Sequence, residues 1–180
     1  MYFINSLRKL FGKDWNSFYC WLLDNIEKKN TFKNIKSQRR AYGFYSLTKG
    51  DDLKDVLIKN GLKKNHNFLD FGCGYGRIGI PIIKYLNKNK YVGLDLSQER
   101  IRLAQEYVEE EKLRFKKPIF LSSHKKKLAD LIETHKFDVI LIYTVIGHNP
   151  LENVKIIISS LLPYLKKNGC FYFDYSRPTK

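Results

Sequence analysis

The chain has 180 residues, 43% of them hydrophobic, which is enough for one domain with a core. Its apolar runs are far shorter than the ~20 residues that span a bilayer, and no signal peptide is evident. Three cysteines show no metal-ligand spacing, so we expect reduced thiols, a cytoplasmic protein and no metal site. The net charge of +15 leaves a nucleic acid or an anionic membrane surface open as partners, although a composition biased towards lysine explains it more simply.

The first 50 residues carry ten basic and three acidic residues and many aromatic ones. Trp15, Phe18 and Leu22 recur at helical spacing, which predicts a helix from about Asp14 to Lys28. Its apolar face could pack on the core, cover a substrate or lie on a membrane surface. A polar break over Ser46–Asp52 then separates this segment from residues 51–180.

Short apolar runs bounded by turn residues alternate with helical patterns over the rest of the chain. The predicted strands are Phe68–Phe71, Tyr91–Asp95, Pro118–Leu121, Phe137–Tyr143 and Cys170–Asp174. The predicted helices are Leu53–Lys59 with Asp51 as its cap, Arg77–Leu86, one capped by Ser97, Ala129–Thr134, and one that follows Asn149 and ends at Lys166–Gly169. Such alternation predicts an α/β fold with a doubly wound, Rossmann-like parallel sheet of about five strands.

Three glycines follow the first predicted strand, at positions 72, 74 and 76, and Asp70 precedes them. A glycine-rich turn between a strand and a helix can present backbone N–H groups to a ligand. The segment Gly74–Gly79 fits the dinucleotide pattern G-x-G-x-x-G, whereas Asp70 to Gly76 fits acid-x-G-x-G-x-G. Because the Asp70 carboxylate would repel a pyrophosphate and attract an ammonium group, the second pattern favours S-adenosylmethionine over a nicotinamide dinucleotide.

Asp95 ends the second predicted strand, 21 residues after Gly74. A carboxylate at this place can accept hydrogen bonds from both hydroxyls of a ribose, which both cofactors contain. The stretch from Leu69 to Gly76, followed by Asp95, resembles the class I S-adenosylmethionine-dependent methyltransferases. The resemblance covers about Leu53 to Tyr175 and implies methyl transfer from S-adenosylmethionine, with S-adenosylhomocysteine as the product.

The resemblance also implies which residues meet the cofactor. Asp95 would bind the ribose, Leu96 would flank the adenine, and Ser123 stands where the family often has an acid that reaches the adenine amine. The expected cofactor-binding residues are Asp70, Gly72, Cys73, Gly74, Asp95, Leu96, Ser123, Tyr143 and Thr144.

The acceptor side is predicted from the ends of the last two strands. His148 would face the acceptor and is the candidate general base, with a structural histidine as the alternative. Tyr45 and Asp174 are further substrate-side candidates. In the family, segments that precede the cofactor domain often cover the cofactor, so residues 1–50 are predicted to form a mainly helical lid.

The acceptor itself stays open at this point. A small molecule is the expected one, and RNA remains possible because of the charge. A nicotinamide-dependent reductase and a non-catalytic subunit that binds S-adenosylmethionine are the alternative functions. The family usually adds an antiparallel hairpin after the fifth strand; none is visible here, so the chain is either naturally minimal or a fragment.

Overall fold

The computed structural model describes residues 45–123, 130, 132, 135–149 and 151–174. Five parallel strands form one sheet in the order β3-β2-β1-β4-β5. The strands are β1 (Phe68–Phe71), β2 (Tyr91–Asp95), β3 (Ile119–Ser122), β4 (Phe137–Ile142) and β5 (Leu165–Phe173). The helices are α1 (Tyr45–Lys59), α2 (Gly79–Tyr85), α3 (Gln98–Glu110) and α4 (Leu151–Leu161), with short 3-10 turns at Arg114–Lys116, Ile146–His148 and Leu162–Tyr164.

The predicted α/β fold with a doubly wound parallel sheet is confirmed. The chain builds outward from β1 through β2 to β3, and then returns to the other side of β1 to form β4 and β5. The strand order therefore reverses between β1 and β4. Open parallel sheets bind ligands beyond the carboxyl ends of their strands at such a reversal.

Each face of the sheet carries its own apolar cluster. Side chains of α1, α2 and α3, including Leu57, Ile82 and Leu103, cover one face. Leu161 of α4 and Ile132 cover the other. Because both faces are covered, β2 is buried along its whole length and β4 almost so, as their continuous apolar sequences predict.

The predicted break before the first helix is wrong. Helix α1 begins at Tyr45 and runs without interruption through Gly50, so the predicted domain boundary at 50/51 falls inside it. Gly50 is buried, and a Cβ atom there would lie 2.5 Å from the carbonyl oxygen of Arg77. Glycine serves here as a point of close packing, not as a chain break. The lid predicted for residues 1–50 lies outside the described residues except for 45–50.

The predicted end of the last helix is also wrong. Helix α4 stops at Leu161, and Lys166–Gly169 belong to β5 instead of closing the helix. Pro163 cannot donate the hydrogen bond that a continuing helix needs.

The pairing of β4 with β5 is irregular at its start. Its register shifts between Phe137 and Val139, and the Nζ of Lys166 lies 2.8 Å from the Oδ2 of Asp138.

The remaining predicted boundaries agree with the structure to within one or two residues. Ser97 caps α3 as predicted, because its Oγ accepts a hydrogen bond from the backbone N–H of Arg100. Of the helix predicted at Ala129–Thr134, only Asp130 and Ile132 are described, and both are helical. No helix in the described ranges has both the length and the apolar character needed to cross a membrane.

Candidate active site

The glycine turn after β1 depends on backbone conformations that side chains disfavour. Gly72, Gly74 and Gly76 have φ angles of 84°, 55° and 81°, all in the left-handed region. A Cβ atom on Gly72 would lie 2.3 Å from Cγ2 of Val145, a residue that follows β4. A Cβ atom on Gly74 would meet nothing within 4 Å. The turn thus packs against the loop after β4 on one side and leaves open space on another.

Most N–H groups of this turn are already hydrogen-bonded within the protein. The N–H groups of Gly72 and Cys73 both donate to the carbonyl of Leu94, at 2.7 and 2.9 Å. The N–H of Gly76 donates to the carbonyl of Cys73 at 3.0 Å. The expectation that these groups are aimed at a ligand is therefore wrong. A pyrophosphate needs such donors, so the turn is poorly suited to a dinucleotide.

Asp95 lies where the sequence predicts, at the carboxyl end of β2 next to the glycine turn. Its Oδ2 accepts from the N–H of Gly74 and its Oδ1 from the N–H of Ser97, both at 2.9 Å. Burial raises the pKa of this carboxyl, while Arg100 and the N–H donors oppose that rise. Each carboxylate oxygen can accept two hydrogen bonds, so a fixed Asp95 can still accept from two ribose hydroxyls.

Asp70 is buried on the face of β1 that packs against α2 and α3. Its Oδ2 accepts a hydrogen bond from the hydroxyl of Tyr91 at 2.7 Å. Burial raises the pKa of Asp70 to about 7; the charge of Asp95 contributes to the rise, and the Tyr91 hydrogen bond opposes it. Within the described part of the chain, the side chain that hydrogen-bonds to Asp70 is therefore that of Tyr91.

Cys73 is brought to the site by its backbone only. Its thiol is buried, and a Cβ atom on Gly93 would lie 3.0 Å from the Sγ, so the side chain points into the core. Burial first, and the negative charges of Asp70 and Asp95 next, raise the pKa of this thiol. We infer that any contact of Cys73 with a ligand comes from its main chain.

The loops after β2 and β3 meet beside Asp95. The N–H of Ser123 donates to the carbonyl of Asp95 at 2.9 Å, and its hydroxyl lies 3.4 Å from the same oxygen. The hydroxyl of Ser122 donates to the carbonyl of Leu96 at 3.3 Å. Leu96 and Ser123 therefore both lie near Asp95 at the carboxyl edge, and the adenine contacts predicted for them stay predictions.

The loop after β4 is held in a strained turn. Thr144 has a φ of 58°, which is unusual for a β-branched residue and often marks a functional site. Its N–H donates to Oδ1 of Asp174 at 2.8 Å, and its hydroxyl donates to the carbonyl of Tyr143 at 2.7 Å. Asp174, predicted on the substrate side, thus fixes the turn from the end of β5.

Two predicted residues have only their backbone described. His148 ends the 3-10 turn that follows β4, and Tyr45 begins α1. Their side chains lie outside the described atoms, so the acceptor roles predicted for them stay predictions. Among the described residues, no group of three or more His, Cys, Asp or Glu side chains could hold a metal ion.

Sequence reasoning missed three residues of this site. Tyr91 is the partner of Asp70, and Arg100 acts on the Asp95 carboxyl. The guanidinium of Arg100 also lies 5.4 Å from the ring centre of Tyr75 in the glycine turn. Tyr91 could have been found from the alternation of side chains along a strand. Asp70 pairs with Gly93, and Tyr91 is two residues before Gly93, so Tyr91 lies diagonally opposite Asp70 on the same face of the sheet.

Known proteins share both the sequence pattern and the fold. A family model described as a methyltransferase domain matches residues 62–179. The chain belongs to the S-adenosylmethionine-dependent methyltransferase family. Its fold is similar to that of magnesium protoporphyrin IX methyltransferase from Synechocystis PCC 6803 with bound SAH, the demethylated cofactor. That match has a TM-score of 0.63 and 23% identity, and covers 82% of this chain and 68% of the other.

Two further methyltransferase structures show the same similarity. The plantazolicin methyltransferase BpumL in complex with SAH has a TM-score of 0.57 and 25% identity over 85% of this chain and 54% of that one. The glycopeptide N-methyltransferase MtfA, complexed with S-adenosylmethionine, has a TM-score of 0.58 and 14% identity over 69% of this chain and 53% of that one. The chain thus spans about half to two thirds of the length of these structures. These three structures were determined with S-adenosylmethionine or its demethylated product bound.

Proposed function

We propose that this methyltransferase transfers a methyl group from S-adenosylmethionine to a small-molecule acceptor. The observation that supports S-adenosylmethionine as the cofactor is the buried Asp95 carboxylate. Two N–H groups hold it at the carboxyl end of β2. Beside it, the N–H groups of the glycine turn are used internally. This arrangement suits a nucleoside that carries no phosphate, because it offers an acceptor for ribose hydroxyls and few donors for a phosphate.

The residues around this carboxylate suit the other parts of the cofactor. Leu96 and Ser123 would lie against the adenine, and Tyr143 and Thr144 against the methionine part. The carboxyl of Asp70, when ionised, would attract the methionine ammonium through the protein interior. When bound, S-adenosylmethionine supplies a methyl group on a positively charged sulfur, which needs no further activation. The protein then has to orient the acceptor and exclude water.

The residues that we propose for the acceptor pocket are chosen only from their positions at the carboxyl edge and at the start of α1. His148, Asp174 and Tyr45 would line it, and His148 would remove a proton if the acceptor must lose one. The names of the three similar structures refer to magnesium protoporphyrin IX, a glycopeptide and plantazolicin. These names support a small organic or peptide-like acceptor more than RNA.

Calorimetric titration of the purified chain tests the cofactor part. We expect S-adenosylhomocysteine to bind in the micromolar range and NAD(H) to bind negligibly. Binding of NAD as tight as that of S-adenosylhomocysteine would contradict the proposal and favour the nicotinamide-dependent reductase.

Transfer from methyl-labelled S-adenosylmethionine into a cell extract tests the catalytic part. Label should appear in small-molecule fractions only when the protein is present. The Asp95→Ala variant is the control, because it should lose both binding and transfer. Label in RNA would identify a different acceptor, and tight binding without transfer would indicate a non-catalytic subunit.

A further inference from the structure

The edge of the sheet opposite the cofactor site carries an unusual concentration of positive charge. Five segments precede or begin the five strands: 63–67, 87–90, 112–118, 135–136 and 166–168. They contain eleven Lys and Arg residues and no Asp or Glu. Because all five strands are parallel, these segments gather at one edge of the sheet. We call this surface the basic edge.

Hydrogen bonds join the segments of the basic edge into one surface. The N–H of Asn87 donates to the carbonyl of Lys64 at 2.7 Å, and that of Asn89 donates to the carbonyl of Lys116 at 2.8 Å. The side-chain amide of Asn67 donates to the carbonyl of Lys136 at 3.1 Å. The positive charges are therefore held on a connected scaffold, and nine of the eleven basic residues are exposed.

Few of these charges are neutralised. The carboxylates nearest to the basic edge include Asp138, which binds Lys166 at 2.8 Å, and Glu109, which binds Arg114 at 2.5 Å. Lys88 and Lys117 are exposed and form no salt bridge within the described ranges. Like charges that are close together on one surface repel one another and destabilise the folded protein. Binding of an anionic partner would reduce this repulsion.

The described residues at the cofactor edge carry less positive charge than the basic edge. Among the described residues that follow the strands, 72–78, 96–97, 123, 143–149 and 174, one is Lys or Arg, namely Arg77; the sequence after β3 adds three lysines at 125–127, outside the described residues. Asp95 and Asp174 lie at this edge as well. Strands β1 to β4, of four to six residues each, separate the two edges by roughly 13–20 Å, so the basic edge is not part of the cofactor site.

One large apolar side chain projects from the end of the basic edge that precedes β3, an outermost strand of the sheet. Phe115 is 64% exposed and lies between Arg114 and Lys116 in the 3-10 turn before β3. The Nζ of Lys116 lies 5.7 Å from the centre of the Phe115 ring. Exposed aromatic side chains surrounded by lysines are typical of proteins that bind the surface of an anionic membrane.

We propose that the basic edge docks this methyltransferase on an anionic membrane surface, with Phe115 entering the headgroup region and the cofactor edge facing away from the lipid. The composition of the surface favours lipid over RNA. Ten of its eleven basic residues are lysines. Its five segments contain one Phe, Tyr or Trp residue, which is Phe115. RNA-binding surfaces instead stack bases on several aromatic or arginine side chains.

Co-sedimentation with vesicles tests this proposal. We expect the protein to bind phosphatidylcholine vesicles that contain phosphatidylserine and not pure phosphatidylcholine vesicles, and to dissociate as salt is raised to ~0.5 M. The double variant Lys88→Gln/Lys117→Gln should weaken vesicle binding about 30-fold, since each lysine near an anionic surface contributes to the affinity. Phe115→Ser should weaken it roughly tenfold.

A variant matched in net charge supplies the control. Lys155→Glu on α4 lowers the net charge by two, as the double variant does, but Lys155 is exposed outside the five segments. It should leave vesicle binding nearly unchanged while circular dichroism shows all variants folded. Equal weakening by Lys155→Glu, or equal binding to neutral vesicles, would overturn the proposal.

An oligouridylate titration separates the lipid from RNA. Oligouridylate binding that is tighter than vesicle binding and is lost in Lys88→Gln/Lys117→Gln would overturn the membrane assignment in favour of RNA. These assays need neither cofactor nor acceptor, so their outcome is independent of the proposed methyl transfer.

Discussion

The buried carboxyl of Asp70 leads to a prediction about stability as well as ligand binding. Replacing it by asparagine keeps the size of the side chain and removes the charge. In the wild type, burial raises the pKa of Asp70 from 3.8 to about 7. The folded protein therefore holds a proton that the unfolded chain releases at lower pH. Between these two values, stability falls as pH rises.

The size of the effect follows from the pKa shift. One pKa unit corresponds to about 1.4 kcal/mol, so ionisation of Asp70 should lower the free energy of unfolding by roughly 2–3 kcal/mol between about pH 5 and pH 8. The Asp70→Asn variant lacks this dependence. Its stability relative to the wild type should rise by that amount over the same range, while its affinity for S-adenosylhomocysteine falls at pH 8.

Urea unfolding of both proteins at the two pH values measures the difference. Asp138→Asn is the control, because burial would raise the pKa of Asp138 but hydrogen bonds from Lys166 and the N–H of Asn67 lower it overall. Its carboxylate stabilises the fold above its ordinary pKa of 3.8 and loses that contribution only as pH falls below this value, so the difference between the wild type and Asp138→Asn should be the same at both pH values. Parallel stability curves for the wild type and Asp70→Asn would refute the reasoning.

Three further predictions concern the loops that surround the site. Asp95→Ala should abolish measurable cofactor binding in calorimetry while the chain stays folded, since each hydrogen bond to a charged group contributes roughly 1.5–3 kcal/mol; an unchanged dissociation constant would refute the ribose assignment. Gly72→Ala should destabilise the fold by more than about 2 kcal/mol in urea unfolding, because its Cβ would meet Val145 and its φ angle is positive. A second substitution, Val145→Ala, should restore part of that loss, and no restoration would mean that the contact is unimportant. Asp174→Ala should speed hydrogen exchange of the Thr144 amide about tenfold or more, whereas Asp174→Asn, which keeps an acceptor, should have less effect; equal exchange in all three proteins would show that the hydrogen bond does not hold the turn.

Local patterns in the sequence predicted most of the architecture. Apolar runs of strand length and stripes of helical period are properties of neighbouring residues, so the five strands, the parallel sheet and the cap at Ser97 could be predicted without the fold. The glycine turn and Asp95 were found for the same reason, since both follow directly from the strand that precedes them. The methyltransferase family could likewise be recognised from these residues alone.

Contacts between distant residues decided the rest. Tyr91 and Asp70 are 21 residues apart, and Thr144 and Asp174 are 30 apart, so both hydrogen bonds depend on which strands lie side by side and in which register. Gly50 looks like a break in the sequence, yet it lies inside α1, where the absence of a Cβ atom lets the helix approach the carbonyl oxygen of Arg77.

The same holds for the charge of the two edges. The +15 net charge is a property of composition, and the sequence alone favoured a compositional explanation for it. Eleven of the 33 basic residues meet at one edge because the five strands run parallel and bring five separate segments together. Composition fixes how many charges the chain carries, whereas the direction of the strands decides where they meet.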